Sequence, residues 1–443
     1  MMAEPDTMSS GVGTVTGGTR SVPYTIHTVV SGDGPPSGGT MPEAVIVATA
    51  RSPIGRAFKG SLTSLRPDDM AAQIVAAALA KVPALDPSLV EDLLLGNAQP
   101  AGEAGYNMAR VVALLADLPH VPGATVNRYC SSSLQTIRMA AHAIKAGEGD
   151  VFIAAGVEAV SRFGQGMSDG LPNTENPRFA AAGERTAERA LGGASPWQGR
   201  DGLPDIYVAM GQTAENVREL EGVSRQEMDR FSALSQQRAV ESQENGFFDR
   251  EISPLTLADG TTVSRDDGPR AGTTVDALAN LKPVFRPDGE VTAGNSCPLN
   301  DGAAAVIVMS DTKARELGIT PLARIVSSSV TALDPEIMGL GPVEACRQAL
   351  ARAQMTIDDV DLVEINEAFA AQVIPSAAKL GIAWDKLNVH GGAIALGHPF
   401  GMTGARIMTT LLNGLEDAGE TIGMESMCVG GGQGMAMIVE RLS

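Results

Sequence analysis

Short apolar runs alternate along this chain with stretches that place an apolar residue every three or four positions. The first run, Ala44-Val45-Ile46-Val47-Ala48, has no polar face and reads as a buried strand. Residues 67–81 carry helical spacing behind a Pro67-Asp68-Asp69 start, which suits a helix N-terminus. Leu93-Leu94-Leu95 reads as a second buried strand ending at Gly96-Asn97, and a helix follows from about Met108 to Leu115. From Val126 to Cys130 the chain is extended and polar. Directly behind Cys130, Leu134, Ile137, Ala141 and Ile144 recur three or four apart, and Gly147 is placed to stop that helix. A strand from Val151 to Val157 closes the series.

The far end repeats the order. Leu362-Val363-Glu364-Ile365 is a strand ending at Asn366, followed by a helix through Phe369, Val373 and Ala377. The segment Asn388 to Gly392 leads into Gly397-His398-Pro399. A helix from about Thr403 to Leu415 comes next, then strands around Met427 and from Met435 to Val439. Strand to Asn, helix, reactive loop, helix, strand: the pattern predicts a duplicated α/β unit. Alternating strands and helices favour a mostly parallel central sheet with helices outside.

Residues 162–290 interrupt this scheme as an insertion rich in turns and polar residues. One helix in it is well marked: Ser224 and Glu227 form a capping box, Met228, Phe231 and Leu234 make its apolar face, and Gly246 closes it. The expected division is a disordered extension over 1–40, a first half over 41–161, the insertion over 162–290, a return to the first half over 291–319 and a second half over 320–443. Residues 1–40, rich in Gly, Ser, Thr and Pro, lack the apolar region of a signal peptide; they read as a disordered tail or as sequence upstream of a start at Met41.

Composition narrows the function. Acidic residues outnumber basic ones to a net charge of −19, which disfavours sequence-independent binding to nucleic acid or anionic membranes. No run of about 18 apolar residues exists, so no membrane span is expected. Cys130, Cys297, Cys346 and Cys428 form no close pair, which argues against a zinc site or disulfide framework and fits a reducing cytoplasm. The insertion holds thirteen arginines and one lysine, Lys282. Forked guanidinium groups suit a phosphate-and-adenine ligand, although a solvated charged face has the same composition.

Chemistry gathers in four loops. Cys130 is placed at a strand-to-helix turn, where the helix dipole lowers a thiol pKa and makes a nucleophile; a packed core cysteine is the alternative. Asn366 ends a strand, His398 sits in the turn Gly397-His398-Pro399-Phe400-Gly401, and Cys428 precedes Gly430-Gly431-Gly432, whose N–H groups can approach a ligand closely. In an open α/β sheet such loops collect at one edge.

From about Met41 to Ser443 the chain resembles the thiolases, the acetyl-CoA acetyltransferase and 3-ketoacyl-CoA thiolase family. The likeness lies in a VN-x-x-C-x-S setting at Cys130, AGN before NDGAAA (Ala293 to Ala305), NEAFA from Asn366, GHP-x-G-x-TGAR from Gly397, and C-x-GGGQG from Cys428. The resemblance implies two similar halves with a loop domain. It implies Cys130 as the acylated nucleophile and His398 as its activator, acting with a water held by Asn366. Cys428 corresponds to the acid/base at the acetyl-CoA α-carbon. The N–H groups of Cys130 and Gly430 correspond to an oxyanion hole. Met210, Cys297 and Phe369 correspond to substrate-side positions. Ser133, Ala209 and Cys297 depart from common family residues, and the last two place chain-length preference in question. The implied reaction exchanges an acyl group between a 3-ketoacyl-CoA and CoA, with CoA a substrate and neither metal nor redox cofactor required. A degradative role is expected, with acetoacetyl-CoA synthesis as the alternative. A ketoacyl synthase-type enzyme would need no Cys428, and a non-catalytic CoA- or lipid-binding relative would have lost Cys130, His398 or Cys428. Family analogy implies a homodimer or homotetramer.

Overall fold

The computed structural model describes residues 41–193, 195–199 and 201–443. The tail expected over 1–40 lies outside the described residues. Strand β1 (Ala44–Arg51) is buried along its whole length. The chain continues through α1 (Pro67–Ala80), β2 (Asp92–Gly96), α2 (Met108–Leu115), β3 (Gly123–Val126), α3 (Ser132–Ala146) and β4 (Val151–Ala159). The insertion contributes α4 (Met210–Glu221) and α5 (Arg225–Glu244), the latter with the expected Ser224–Glu227 capping box. Strand β5 (Asn300–Ser310) completes the first half. The second half runs β6 (Ala323–Ala332), α6 (Gly341–Ala353), β7 (Leu362–Ile365), α7 (Ala370–Leu380), α8 (Thr403–Ala418), β8 (Ile422–Val429) and β9 (Gln433–Arg441).

The duplication is visible in the strand pairing. The first half orders its strands β3-β2-β4-β5-β1, with β3/β2 and β2/β4 parallel and β4/β5 and β5/β1 antiparallel. The second half orders β7-β8-β9-β6, with β7/β8 parallel and β8/β9 and β9/β6 antiparallel. A parallel bridge from Val363 to Leu387 stands where β3 pairs in the first half. An antiparallel contact of β1 with β6 joins the halves into one sheet. The expected parallel pairing is thus found on the flanks, where a helix carries the chain back between neighbours. The middle corrects the expectation. There β5 enters from the insertion and β9 from a glycine turn, so each runs back along its neighbour without a crossover helix.

Two helices lie deepest. Helix α8 is buried from Thr403 to Leu412, and α3 is buried over its first turns. Their approach is too close for a side chain at Gly404, whose added Cβ would stand 2.3 Å from the Leu134 amide nitrogen. The Ala405 N–H donates to Ser133 Oγ at 2.9 Å across this contact. Ser133, one of the departures from the family pattern, therefore ties the two helices together.

The insertion is anchored through charge. Arg51 at the end of β1 is fully buried, with Nε 2.6 Å from Glu251 and its two terminal nitrogens 2.9 and 3.1 Å from Asp266. Asp266 also accepts from the Ile54 N–H at 2.7 Å. Four insertion arginines bind the insertion to itself: Arg189 and Arg286 pair with Glu219, Arg218 with Glu215, and Arg225 with Asp229. For these residues the arginine excess is structural rather than a ligand surface. Arg51→Ala strands two buried carboxylates, so unfolding free energy should fall by about 3–5 kcal/mol. Urea denaturation checks this, and a loss under about 1 kcal/mol would show that the anchor is not needed.

Candidate active site

Cys130 sits in a single turn, Tyr129–Ser131, that leads straight into α3. The turn is wound by local side chains. The Tyr129 N–H donates to Asn127 Oδ1 at 2.8 Å, the Arg128 N–H to Ser132 Oγ at 2.9 Å, and Ser132 Oγ donates to the Tyr129 carbonyl at 2.7 Å. These bonds hold Tyr129 at φ 42°, a left-handed conformation a tyrosine rarely adopts unless its surroundings impose it. Cys130 is 8% exposed, and its sulfur accepts from its own N–H and from that of Gly430. Burial nevertheless pushes the thiol up to about 11. This corrects the lowered pKa expected from the helix start: desolvation of the thiolate outweighs what two N–H groups return. Cys130 rests as a thiol.

His398 is 1% exposed, and burial, followed by the Arg406 charge, brings its pKa down to about 3. The imidazole is therefore neutral, and its tautomer follows from its neighbours. Thr403 Oγ1 donates to the Pro399 carbonyl at 2.8 Å, so towards His398 Nδ1, 2.6 Å away, it acts as acceptor. The proton belongs on Nδ1, and Nε2 carries the lone pair. Asn366 Nδ2 lies 3.3 Å from that Nε2. Asn366 itself is 1% exposed, and among the described residues its Oδ1 has no hydrogen-bond partner. Such a buried acceptor is a seat for a water or a substrate oxygen-bound proton.

Cys428 is the penultimate residue of β8 and wholly buried. Burial first, then the neighbouring Cys130 and Cys297 sulfurs, push its pKa well up. Cys297 is raised by burial and again by Cys130. Three of the four cysteines thus share one neighbourhood. Cys346 lies apart in α6, fully buried beside Ser426, with burial raising it to about 12.

A cleft of about 660 Å³ opens above these groups. Its floor is Cys130, Gly430 and Phe400, and Met210 stands in its wall at the start of α4, just behind Ala209. Phe400 contacts the His398 ring edge-on at 5.1 Å between centroids. Phe369 does not line the cleft. It is 7% exposed and packs edge-on against Phe285 at 6.0 Å, in a cluster that also holds Cys297 and Met210.

Two residues of this region escaped the sequence reading. Thr403 looked like an ordinary helix start. Glu158 is the penultimate residue of β4 and is 1% exposed; burial raises it to about 7, and its Oε2 accepts from the N–H groups of Ala98 and Gly401, each at 2.9 Å. A carboxylate inside Val-Phe-Ile-Ala-Ala-Gly-Val-Glu-Ala was the available signal.

With this geometry described, comparison with known proteins places the chain. The family models "Thiolase, N-terminal domain" and "Thiolase, C-terminal domain" match residues 44–312 and 319–441. A β-ketoadipyl-CoA thiolase of Acinetobacter baylyi is 43% identical over 91% of this chain and 100% of its own length. A 3-ketoacyl-CoA thiolase of Saccharophagus degradans is 43% identical over 90% of the chain and 98% of its own. Among solved structures, the Bacillus anthracis acetyl-CoA acetyltransferase superimposes with a TM-score of 0.80 at 38% identity, covering 91% of this chain and 99% of that one. The dimeric peroxisomal thiolase of Saccharomyces cerevisiae gives 0.80 at 34%, covering 91% and 98%. The chain belongs to the thiolase family of acyltransferases.

Two outcomes follow from the site. Because burial raises the Cys130 thiol, its alkylation by iodoacetamide should climb about tenfold per pH unit from neutrality towards pH 11. A plateau below pH 8, read by mass spectrometry of the labelled peptide, would contradict that. Thr403→Val removes the acceptor for Nδ1–H, and turnover should fall by roughly 10²-fold, as for other small losses of alignment. Thr403→Ser keeps the oxygen and should recover most of that loss; equal defects in both variants would leave the tautomer argument without support.

Proposed function

We propose that this thiolase cleaves 3-ketoacyl-CoA esters with CoA through an acyl-Cys130 intermediate, in the degradative direction. The carrying observation is the convergence of Cys130, Gly430 and Phe400 on one cleft floor, with His398, Asn366 and Cys428 buried around it. In this reading the Cys130 proton passes to His398 Nε2 as the sulfur attacks the 3-keto carbon. The C2–C3 bond then breaks. The acetyl-CoA enolate takes the Cys428 thiol proton at its α-carbon; CoA returns a proton to Cys428 as its sulfur takes the acyl group, and the released Cys130 sulfur regains the proton held on His398 Nε2.

Every group in this set is neutral at rest, so each charge appears only as the reaction proceeds. Fixed donors must meet it. The Cys130 and Gly430 N–H groups stand at the acylated sulfur, where the acyl oxyanion forms, and one such donor is typically worth about 2.7–4 kcal/mol. His398, with a water on Asn366, meets the enolate oxygen. The covalent intermediate divides the exchange into two easier steps, and thiols and imidazole carry it without a metal or redox group. Met210, in the cleft wall, is assigned to the substrate side, with Cys297 and Phe369 packed in the cluster behind it.

The degradative direction is favoured over acetoacetyl-CoA synthesis by room. A cleft of about 660 Å³ beside Cys130 far exceeds an acetyl group, and Ala209 does not narrow it. We assign the domains as 41–161 with 291–319, 162–290 and 320–443. A homodimer or homotetramer is proposed, one structural relative being described as dimeric. A cytoplasmic setting is proposed from the unpaired cysteines, and no helix among the described residues is long and apolar enough to cross a membrane.

Cys428→Ala tests the roles. Thiolysis should drop by on the order of 10²–10⁴, as for loss of a general acid/base. Acetylation of Cys130 by acetyl-CoA, seen by mass spectrometry, should persist. Thiolysis near the wild-type rate in this variant would remove the acid/base assignment.

A further inference from the structure

The cleft beside Cys130 carries carboxylates on its insertion wall. Asp169 and Glu175 both line it, as do the hydroxyl-bearing Tyr129 and Tyr207, and among the described residues no lysine or arginine does. Asp169 is held in place. Gln99 Nε2 donates to its Oδ2 at 2.8 Å, while Gln99 Oε1 accepts from the Asp169 N–H at 2.9 Å and from Ser168 Oγ at 2.9 Å. Gln99 itself is only 8% exposed, so this clamp is built from the protein body outward. The Tyr129 hydroxyl lies near Asp169; burial first, then that carboxylate, raises its pKa. Tyr129 is the residue next to the nucleophile. A carboxylate held by the protein body therefore stands one side chain away from Cys130, in the wall of the cleft that opens over it.

We infer that this enzyme takes 3-ketoacyl groups with neutral tails and rejects those ending in a carboxylate, with Asp169 as the principal specificity-determining residue and Glu175 as the second. A carboxylate on the tail would be drawn out of water and set against like charge, with no guanidinium or ammonium among the described lining residues to pair with. A methyl-ended or hydroxylated tail meets no such penalty, and a hydroxyl gains acceptors. The inference rests on the thiolase reading above, and it separates this chain from the substrate in the name of one of its relatives, a β-ketoadipyl-CoA thiolase.

The test is a matched pair of six-carbon esters, 3-ketohexanoyl-CoA and 3-ketoadipyl-CoA, which differ in whether the tail ends in methyl or carboxylate. With the full chain, kcat/KM should favour the methyl-ended ester at least tenfold, equivalent to about 1.4 kcal/mol. The ratio should narrow as salt is raised, because the charges lie in a solvent-connected cleft. Asp169→Asn should narrow it further, and Glu175→Gln should narrow it by less; each enzyme serves as its own reference, so an overall loss of activity does not disturb the ratio. Equal rates on both esters, or preference for the carboxylate, would overturn the inference while leaving the thiolase reading intact. A wild-type ratio unchanged in both variants would remove the two carboxylates as its cause. Cleavage of neither ester would overturn the thiolase reading, and this inference with it.

Discussion

The site depends on a reciprocal exchange of loops between the two halves of the sheet. The turn bearing His398 belongs to the second half but docks on the strand ends of the first. An added Cβ at Gly401 would stand 2.2 Å from the Val157 carbonyl and 2.7 Å from that of Gly96, so only a glycine lets the turn settle there. The Cys130 turn does the converse. Its sulfur meets the Gly430 N–H at the end of β8, and Arg128 donates to Gln433 Oε1 at 2.8 Å at the start of β9. The crossing of α3 and α8 through Gly404 fixes the distance between the two turns. Neither half could hold thiol and imidazole together alone.

This placement sets the electrostatics. Bringing both turns beneath the cleft floor removes water from every titratable group, and each shift runs toward the neutral form: Cys130 and Cys428 up, His398 down. In the proposed mechanism, a proton passed from Cys130 to His398 creates an ion pair from two neutral groups in a poor solvent for charge. The attraction between the new charges is strong in the same medium, and fixed N–H donors offset the remainder without reorganising. The arrangement favours charge that appears only during reaction over charge held at rest.

Much of this was legible in the sequence because it is periodic or local. The strand–helix order of both halves, the Ser224–Glu227 cap and the turn-to-helix setting of Cys130 each follow from residues close together in the chain. Strand direction in the middle of the sheet did not, because β5 and β9 arrive without crossover helices, and apolar runs carry no direction. The Cys130 pKa was misjudged for a related reason. A helix start is visible in sequence, whereas the depth at which the turn is buried is a tertiary fact. Thr403 was missed because its role needs His398 and Pro399 folded back onto the first turn of α8.

Strand register shows how the duplicated halves diverged into different tasks. Gly96 pairs with Gly156 in the first half, and Ile365 with Ser426 in the second. Counting onward one residue on one strand and two on its neighbour, Asn97 and Glu158 occupy the places that Asn366 and Cys428 hold in the repeat. The first pair is structural: Asn97 Nδ2 donates to the Val157 carbonyl, and Glu158 grips the Gly401 N–H. The second pair lies beside His398 and Cys130. Glu158 holds the turn that carries His398, so the structural copy positions the imidazole that the proposed mechanism pairs with the second copy. An acid in the first half and a thiol in the second are therefore not interchangeable relics of one ancestor position. A carboxylate serves where it can accept two N–H groups, and in the proposed mechanism a thiol serves where a proton leaves a buried, uncharged donor.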